Sequence, residues 1–366
     1  MTTKTRYFVI VSLLALAVGM GTGLVAYYVG FSASASANPG GPDELRLIPR
    51  DATVIGVANV QDVMASELRQ KIHRALPGQE DGQRELQERT GINVETDIDR
   101  VVACLRADPD SPNMPGAGMV LARGRFDETK IEAVMRERGA QVEAYKGKRL
   151  IVADVAEAAR REIEKRRAAG DLVPDAAGSV DPRMGNTSFA LAFVESGLVA
   201  LGSTTLIRSA IDLHQGGATS QTGLQSVTGN DELMILVRSL DSTSNAWTVG
   251  RFDALALPAR LPQNVSSQLP AITWFSVGAH VNGGVRGVIR AETRDDEAAA
   301  NLRDVLRGFM ALVKLQSGSK PELQAMMQSL ELGGTGTTVA LSFAVPAEVF
   351  DVIGAAANLA IKPGGR

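Results

Sequence analysis

Hydrophobic and polar positions follow two periods along this chain, and their alternation predicts the order of its elements. Continuous or alternating apolar runs predict strands, and apolar residues three or four positions apart predict helices. In the first half, strands are predicted over Thr53–Val60, Ile98–Leu105 and Met119–Phe126, with hairpins over Gln141–Asp154 and Thr187–Ser203 that turn at Lys146–Lys148 and Ser196–Gly197. Helices are predicted over Gln61–Leu76, Asp127–Gly139, Val155–Gly170 and Thr204–His214, and a loop over Pro109–Gly118.

The second half, from about Ser226, continues the alternation. The predicted elements are a helix over Asn230–Leu240, a strand over Asn245–Phe252 and a hairpin over Ile272–Thr293 that turns at Asn282–Gly283. Thr293–Asp296 resembles a capping box. The helix that it opens has an apolar stripe made of Leu302, Val305, Leu306, Phe309 and Val313. A helix over Pro321–Leu330, a hairpin over Leu330–Pro346 and a helix over Ala347–Ala360 follow.

Helices that return repeatedly to mostly antiparallel strands predict an α+β body. The order of the elements also predicts a diverged internal duplication, with a first half at 45–223 and a second half at 224–366. In this alignment residues 54–64 correspond to 247–257, 119–135 to 287–306, and 142–159 to 330–350. The hairpin and helix between Thr187 and His214 are then an addition to the first half.

The N-terminal segment predicts a membrane anchor. Residues 7–31 contain no charged side chain, and roughly 20 apolar residues suffice to cross a bilayer as a helix. Lys4 and Arg6 precede this run, and Asp43 is the first charge after it. Because positive flanking residues stay on the cytoplasmic side, we predict a cytoplasmic stub at 1–6, a transmembrane helix at 7–31 in contact with membrane lipid, a flexible linker at 32–44 and a periplasmic body.

A cleaved signal peptide is the alternative for the same segment. The small residues of Ser32–Ala37 offer cleavage sites near Ala35 or Ala37, and cleavage there would release a secreted protein. The apolar core of a signal peptide is normally about 7–15 residues long. The uncharged run is longer, which favours an uncleaved anchor. Both alternatives place the body outside the cytoplasmic membrane.

Composition argues against a nucleic-acid partner. The chain has 38 Lys and Arg against 41 Asp and Glu, and 4% aromatic residues, whereas nucleic-acid-binding domains carry basic patches and stacking aromatic rings. Cys104 is the single cysteine, so no internal disulfide can form. Its apolar surroundings in the sequence predict a buried small hydrophobic residue rather than a reactive thiol.

No residue set predicts a catalytic, cofactor-binding or metal-binding site, so no cofactor is expected. His73, His214 and His280 lack metal-ligand spacing, and one cysteine cannot supply a zinc set. The glycine-rich Gly333–Thr338 lacks the lysine of a phosphate-binding loop and predicts a hairpin turn instead. The G-x-S-x-G motif of a nucleophile elbow does not occur.

The string GRFD occurs twice, at Gly124–Asp127 and Gly250–Asp253. Each copy ends a predicted strand, and its Asp lies where a helix would begin and where a carboxylate accepts hydrogen bonds from free N–H groups. We therefore predict a structural joint used twice, with Phe126 and Phe252 packed inward, rather than a duplicated functional site.

Three segments resemble one group of bacterial proteins: Leu47–Val60, Val142–Asp154 and Ser196–Asp212. They are similar to membrane-anchored cell-envelope proteins classed as a domain of unknown function. The resemblance implies an N-terminal membrane segment and an extracytoplasmic α+β body over most of Leu45–Val352. It implies no activity and no site residue.

Together these features predict a non-enzymatic, membrane-anchored envelope protein that binds a protein partner or serves as a scaffold. Two alternatives stay open at this point. A carrier or sensor of an apolar ligand would hold its ligand between sheet and helices, near the stripe from Leu302 to Val313. An unrecognised hydrolase would bring a Ser or Asp, a His and an oxyanion site into one cleft.

Overall fold

Twelve strands form one antiparallel sheet. The computed structural model describes residues 41–69, 84, 87–107, 117–137, 139–154, 188–216, 223–252, 271–316 and 321–349. The strands are β1 Val54–Asn59, β2 Ile98–Arg106, β3 Ala117–Gly124, β4 Gln141–Tyr145, β5 Lys148–Asp154, β6 Ser188–Glu195, β7 Leu198–Ser203, β8 Ala246–Arg251, β9 Ile272–Val281, β10 Gly284–Thr293, β11 Glu331–Gly333 and β12 Thr338–Pro346. Their order across the sheet is β11-β12-β10-β9-β8-β1-β2-β3-β7-β6-β5-β4.

Helices cover both faces of this sheet, so the α+β prediction is confirmed. They are α1 Val60–Met64, α2 Val94–Asp97, α3 Glu128–Glu137, α4 Thr204–Gly216, α5 Asp231–Arg238, α6 Asp296–Gln316 and α7 Pro321–Gln328, with short 3-10 turns at Asp43–Leu47 and Val227–Gly229. Strands from both predicted halves belong to the same sheet, because β1 pairs with β8 at its centre.

The two faces have different helices and separate cores. Cross-strand partners share a face, which places Ile55 with Val249 and Val57 with Trp247. We call this the α4–α5 face, since α4, α5 and both 3-10 turns pack on it in the largest core of the described chain. The opposite face, the α3–α6 face, is covered by α3, α6 and α7.

Helix α4 shows how the apolar period fixes the packing. The four residues predicted to share a face are almost fully buried against the sheet: Leu206, Ile207, Ala210 and Ile211. Burying a side chain of Leu or Ile size contributes about 1.5–3 kcal/mol. The stripe therefore holds the helix in place on strands β6 and β7.

Several predictions fall on residues that the structure does not describe. These are the membrane helix at 7–31, the loop at 109–116, the charged helix at 155–170, His73, Asp253 and the final helix beyond Val349. Within the described ranges, none of the helices has the length and hydrophobicity needed to cross a membrane.

The single helix predicted over Gln61–Leu76 is wrong in its described part. Helix α1 ends at Met64, and helical residues resume at Glu67. The hydroxyl of Ser66 donates to the Val63 carbonyl and accepts from the Arg69 backbone N–H at 3.2 Å. Ser66 thus ends one helical segment and begins the next, a preference that serine owes to its competing hydroxyl.

The start of α6 corrects the predicted capping box. The Asp295 carboxylate, rather than the Thr293 hydroxyl, accepts the free Ala298 N–H at 2.8 Å. The Thr293 hydroxyl instead donates to backbone carbonyl oxygens, including that of Thr337. Along the predicted stripe Leu302 is buried, whereas Val305 is 38% exposed. The stripe is therefore narrower than its sequence suggested.

We expect Asp295→Ala to lower the free energy of unfolding, because the variant loses the N-cap hydrogen bond from the Ala298 N–H. Asp295→Asn keeps an oxygen acceptor and serves as the matched control, with a smaller loss. Chemical denaturation of both variants measures the difference. Equal losses would show that the charge, and not the cap hydrogen bond, matters at this position.

The two GRFD copies form the same joint between neighbouring strands. Gly124 lies opposite Ile98, and Gly250 lies opposite Val54, the first residues of β2 and β1. In each copy the backbone N–H of the Arg that follows the Gly donates to the carbonyl of the residue just before the paired strand. Arg125 donates to Asp97, before β2, at 2.6 Å, and Arg251 donates to Thr53, before β1, at 2.9 Å.

The rest of the joint also follows the prediction in its described part. The Asp127 carboxylate accepts the Lys130 N–H at 3.1 Å and begins α3. Phe126 and Phe252 pack against core clusters. What the copies share is backbone pairing at a strand end, without a shared set of reactive side chains.

Candidate functional site

Within the described residues, the largest connected group of ion pairs lies around the 3-10 turn Asp43–Leu47, the first described element. We call this group the entry cluster. It contains Glu44 and Arg46 from the first 3-10 turn, Arg100 from β2, Arg123 from β3, Glu195 from the end of β6 and His214 from the last turn of α4. Arg100 and Arg123 are cross-strand partners, so their side chains project from the same face.

Glu44 is the buried centre of the entry cluster. Its side chain is 3% exposed, and each carboxylate oxygen has its own arginine. Arg123 Nε donates to Oε1 at 2.8 Å, and Arg100 Nη1 donates to Oε2 at 3.1 Å. A buried carboxylate is stable in ionised form only with such partners.

Glu195 extends the cluster towards solvent. Arg123 Nη2 lies 2.8 Å from its Oε1. Arg46 Nη2 and His214 Nδ1 each lie 3.7 Å from its Oε2. Arg123 therefore bridges two carboxylates, and its partners join strands β3 and β6 to the entry turn.

Electrostatics in the cluster favour the charged forms. Burial alone would raise the pKa of Glu44, but the hydrogen bond from Arg123, the backbone and the two nearby guanidiniums together lower it below its ordinary value. Burial would lower the pKa of Arg123, yet its hydrogen bonds to Glu44 and Glu195 raise it. The cluster is a closed ionic network that fixes the entry turn.

Apolar residues around Glu44 hold the same turn. Leu45, Leu47 and Ile48 are at most 1% exposed and belong to the core on the α4–α5 face. Backbone hydrogen bonds add to this, since Arg50 donates to Gln225 at 2.8 Å and Val227 to Ile48 at 2.8 Å. The last residues of the linker predicted at 32–44 are therefore already part of the fold, since Asp43 begins the first 3-10 turn and Glu44 is buried.

A cleft of about 360 Å³ forms a second candidate site, at the β9–β10 turn beside the end of β12. Its side chains include His280, Arg286 and Ala344. These three are cross-strand neighbours on β9, β10 and β12 and therefore share the α4–α5 face. The volume lies at the lower end of the range for small-ligand sites.

His280 in this cleft and the nearby Asp241 both have hydrogen-bond partners in the Asp241–Thr243 turn. His280 Nδ1 lies 2.8 Å from the Thr243 carbonyl, and a carbonyl only accepts, so Nδ1 carries a hydrogen. Asp241 accepts the Thr243 N–H and hydroxyl, which lowers its pKa, and the charges of Arg286 and Arg290 lower it further.

The sequence predicted no site residues, and the structure places its candidates apart. His214 lies in the entry cluster and His280 in the cleft, while Cys104 is buried, with its pKa raised by burial to about 12. Buried Cys104 confirms the prediction of an inert thiol. Across the described residues, no three His, Cys, Asp or Glu side chains lie together in a group that could hold a metal ion.

Glu44 was the residue that sequence analysis missed. Its one local signal is a carboxylate beside Leu45, Leu47 and Ile48, a mostly apolar stretch that Arg46 interrupts. Leu302, which suggested an apolar-ligand site, packs against Ala299 and Val339. It does not line the cleft at the β9–β10 turn.

Comparison with known proteins identified distant structural similarity but no family. No family model matches this sequence, and a search of curated proteins gave no match. A solved structure described as "Structure of crystal form I of TP0453" is similar over 86% of this chain and 98% of that chain, with 9% sequence identity and a TM-score of 0.42.

Proposed function

We propose that this protein is a non-enzymatic, single-pass membrane-anchored protein of the bacterial envelope, whose periplasmic body binds a protein partner as a scaffold. The observation that supports it is the entry cluster. A chain that leaves a membrane helix at Phe31 would reach the core within a few residues of Gly41, because Glu44 and Leu45 are already buried.

This attachment limits how far the body can move from its anchor. Phe31 and Gly41 are ten positions apart (41 − 31), and an extended chain spans at most about 3.3–3.6 Å per position. The body would therefore stay within roughly 35 Å of the membrane surface. A scaffold needs such a fixed position, whereas a released carrier does not.

Chemical cross-linking in intact cells that produce the protein, followed by purification and mass spectrometry, tests the partner. We expect a partner at near-stoichiometric yield. The control is residues 1–44 fused to an unrelated folded protein, which keeps the anchor and should lose the partner. Recovery of this chain alone, or of the same partner with the control, would contradict the scaffold function.

The mass of the membrane-extracted protein tests the anchor. We expect the intact N-terminus in the membrane fraction, with the uncharged run still present. A mass corresponding to cleavage near Ala35 or Ala37, together with release of the body, would instead support the secreted form. Both products would keep the entry cluster, because cleavage there precedes Glu44.

We also infer the internal duplication that the sequence suggested, with a changed alignment. The strands β1-β2-β3 and β8-β9-β10 lie side by side as two meanders, and α3 and α6 follow them on the same face. By position in the sheet, β11–β12 corresponds to β6–β7, since β7 lies beside β3 and β12 beside β10. An experimental structure that placed α3 and α6 on different faces would refute the duplication.

A further inference from the structure

The cleft at the β9–β10 turn has walls that the backbone fixes in place. The end of β12, at 344–346, supplies an apolar wall. In the turn beside it, the Asn282 N–H donates to the Gly284 carbonyl at 3.0 Å, and the Asn282 carbonyl accepts the Leu68 N–H at 3.0 Å. A small ligand can therefore bind here without first ordering the site, which removes one cost of binding.

Three polar side chains line this cleft, and they have different hydrogen-bonding roles: His280, Asn282 and Arg286. His280 Nδ1 donates to the Thr243 carbonyl at 2.8 Å, so Nε2 of the neutral ring is an acceptor. Arg286 is exposed and can only donate, whereas the exposed Asn282 amide can both donate and accept. The cleft therefore offers hydrogen-bond donors and acceptors side by side.

The charges around the cleft have mixed signs. Arg286 and Arg290 project from the same face of β10, because they are four residues apart on an extended strand. Asp241 lies within electrostatic reach of both. Glu292 follows Arg290 on the same strand face, and the Glu67 carboxylate lies at the β9–β10 turn. A ligand with a net charge of either sign meets repulsion here, whereas a neutral ligand meets none and has no charge to desolvate.

Hydroxyl groups match this arrangement of donors and acceptors. Because a hydroxyl both donates and accepts, one sugar ring can donate to His280 Nε2 and accept from Arg286. The C–H groups of the ring are apolar and suit the wall at 344–346. A carboxylate only accepts and an ammonium group only donates, so either would leave some of these polar groups without a partner.

We propose that the cleft at the β9–β10 turn binds a neutral, polyhydroxylated ligand of the carbohydrate class. This inference goes beyond the proposed scaffold function, since it requires neither the membrane anchor nor a protein partner. Two sources would supply this chemistry to a periplasmic body: the glycan strands of the cell wall and free sugars. Both present the same hydroxyl and C–H groups to the cleft.

Saturation-transfer NMR tests the proposal, with the full chain in micelles of a detergent that has no sugar headgroup. The neutral probes are N-acetylglucosamine and its trisaccharide, and glucuronate and glucosamine are the charged comparisons. We expect saturation transfer to the neutral probes and a Kd about tenfold higher for Arg286→Ala, the effect of losing one hydrogen bond to a charged group.

Two further variants separate the site from general effects of charge. Asn282→Ala removes a neutral hydrogen-bonding group and should raise the Kd by a smaller factor. Arg294→Ala removes the same charge as Arg286→Ala from an exposed arginine already paired with Asp295 and should leave binding unchanged. Unfolding of each variant at the wild-type midpoint confirms that it is folded.

Three outcomes would overturn the proposal: no transfer to a neutral sugar, tighter binding of glucuronate or glucosamine than of the neutral probes, or unchanged binding by both Arg286→Ala and Asn282→Ala. Sedimentation with purified cell-wall sacculi distinguishes the two sources. Co-sedimentation that Arg286→Ala reduces would identify the cell-wall glycan, and binding of the probes without co-sedimentation would identify a free sugar. The scaffold function is tested separately by cross-linking, so either proposal can fail while the other stands.

Discussion

Gly124→Ala and Gly250→Ala will each lower the free energy of unfolding by about 3 kcal/mol, because both place a methyl group inside neighbouring backbone. A Cβ on Gly124 would lie 2.0 Å from the Asp97 carbonyl oxygen and 2.9 Å from Ile98 Cα. A Cβ on Gly250 would lie 2.6 Å from the Thr53 carbonyl oxygen and 2.8 Å from Val54 Cα. Backbone cannot rotate away as a flexible side chain can, so the paired strands must separate.

Chemical denaturation followed by tryptophan fluorescence measures this effect, since Trp247 lies in the core on the α4–α5 face. Gly308→Ala is the matched control. Gly308 is exposed inside α6, and a Cβ there meets nothing within 4 Å. We expect this control to gain up to about 1 kcal/mol from helix propensity. A loss below about 1 kcal/mol at both joint glycines would show that the strand ends adapt to a methyl group.

Glu44→Gln will lower the free energy of unfolding by about 2–3 kcal/mol at neutral pH, because it leaves two arginines without their shared counter-charge. The loss falls short of a fully buried case, since the Arg100 and Arg123 side chains are 23% and 28% exposed. Glu331→Gln, on the exposed edge strand β11, removes the same charge and should change stability little.

The pH dependence of this variant gives a second test. The pKa of Glu44 is lower in the folded protein than its ordinary value of 4.5. Its contribution to stability is therefore complete above pH 4.5 and is lost as the pH falls through the folded pKa. We expect the difference between wild type and Glu44→Gln to shrink below pH 4.5. A difference that stays constant across that range would contradict an ionic role for Glu44.

Local chemistry made much of the fold predictable. The hairpin turns at Lys146–Lys148, Ser196–Gly197 and Asn282–Gly283 lie where the sequence placed them, because turn residues and strand period act within a few positions. The buried stripe of α4 was predictable for the same reason. The cap of α6 was misplaced by two residues, since the hydroxyl of Thr293 bonds to distant Thr337, and no local pattern contains that contact.

The candidate sites were not predictable from the sequence, because their residues meet only through the strand order. Glu44, Arg123 and Glu195 come from widely separated parts of the chain, and the pairing of β7 with both β3 and β6 brings the last two together. His280 and Arg286 share a face only once the register of β9 and β10 is known.

The sequence by itself determined the elements, their turns and the stripes that face the core, since these depend on propensity and period along a short stretch. Only the tertiary structure decided which strands are neighbours, that Glu44 is buried between two arginines, and that His280 and Arg286 meet at one cleft. Long-range pairing is set by the combined burial of many side chains, and no single segment encodes it.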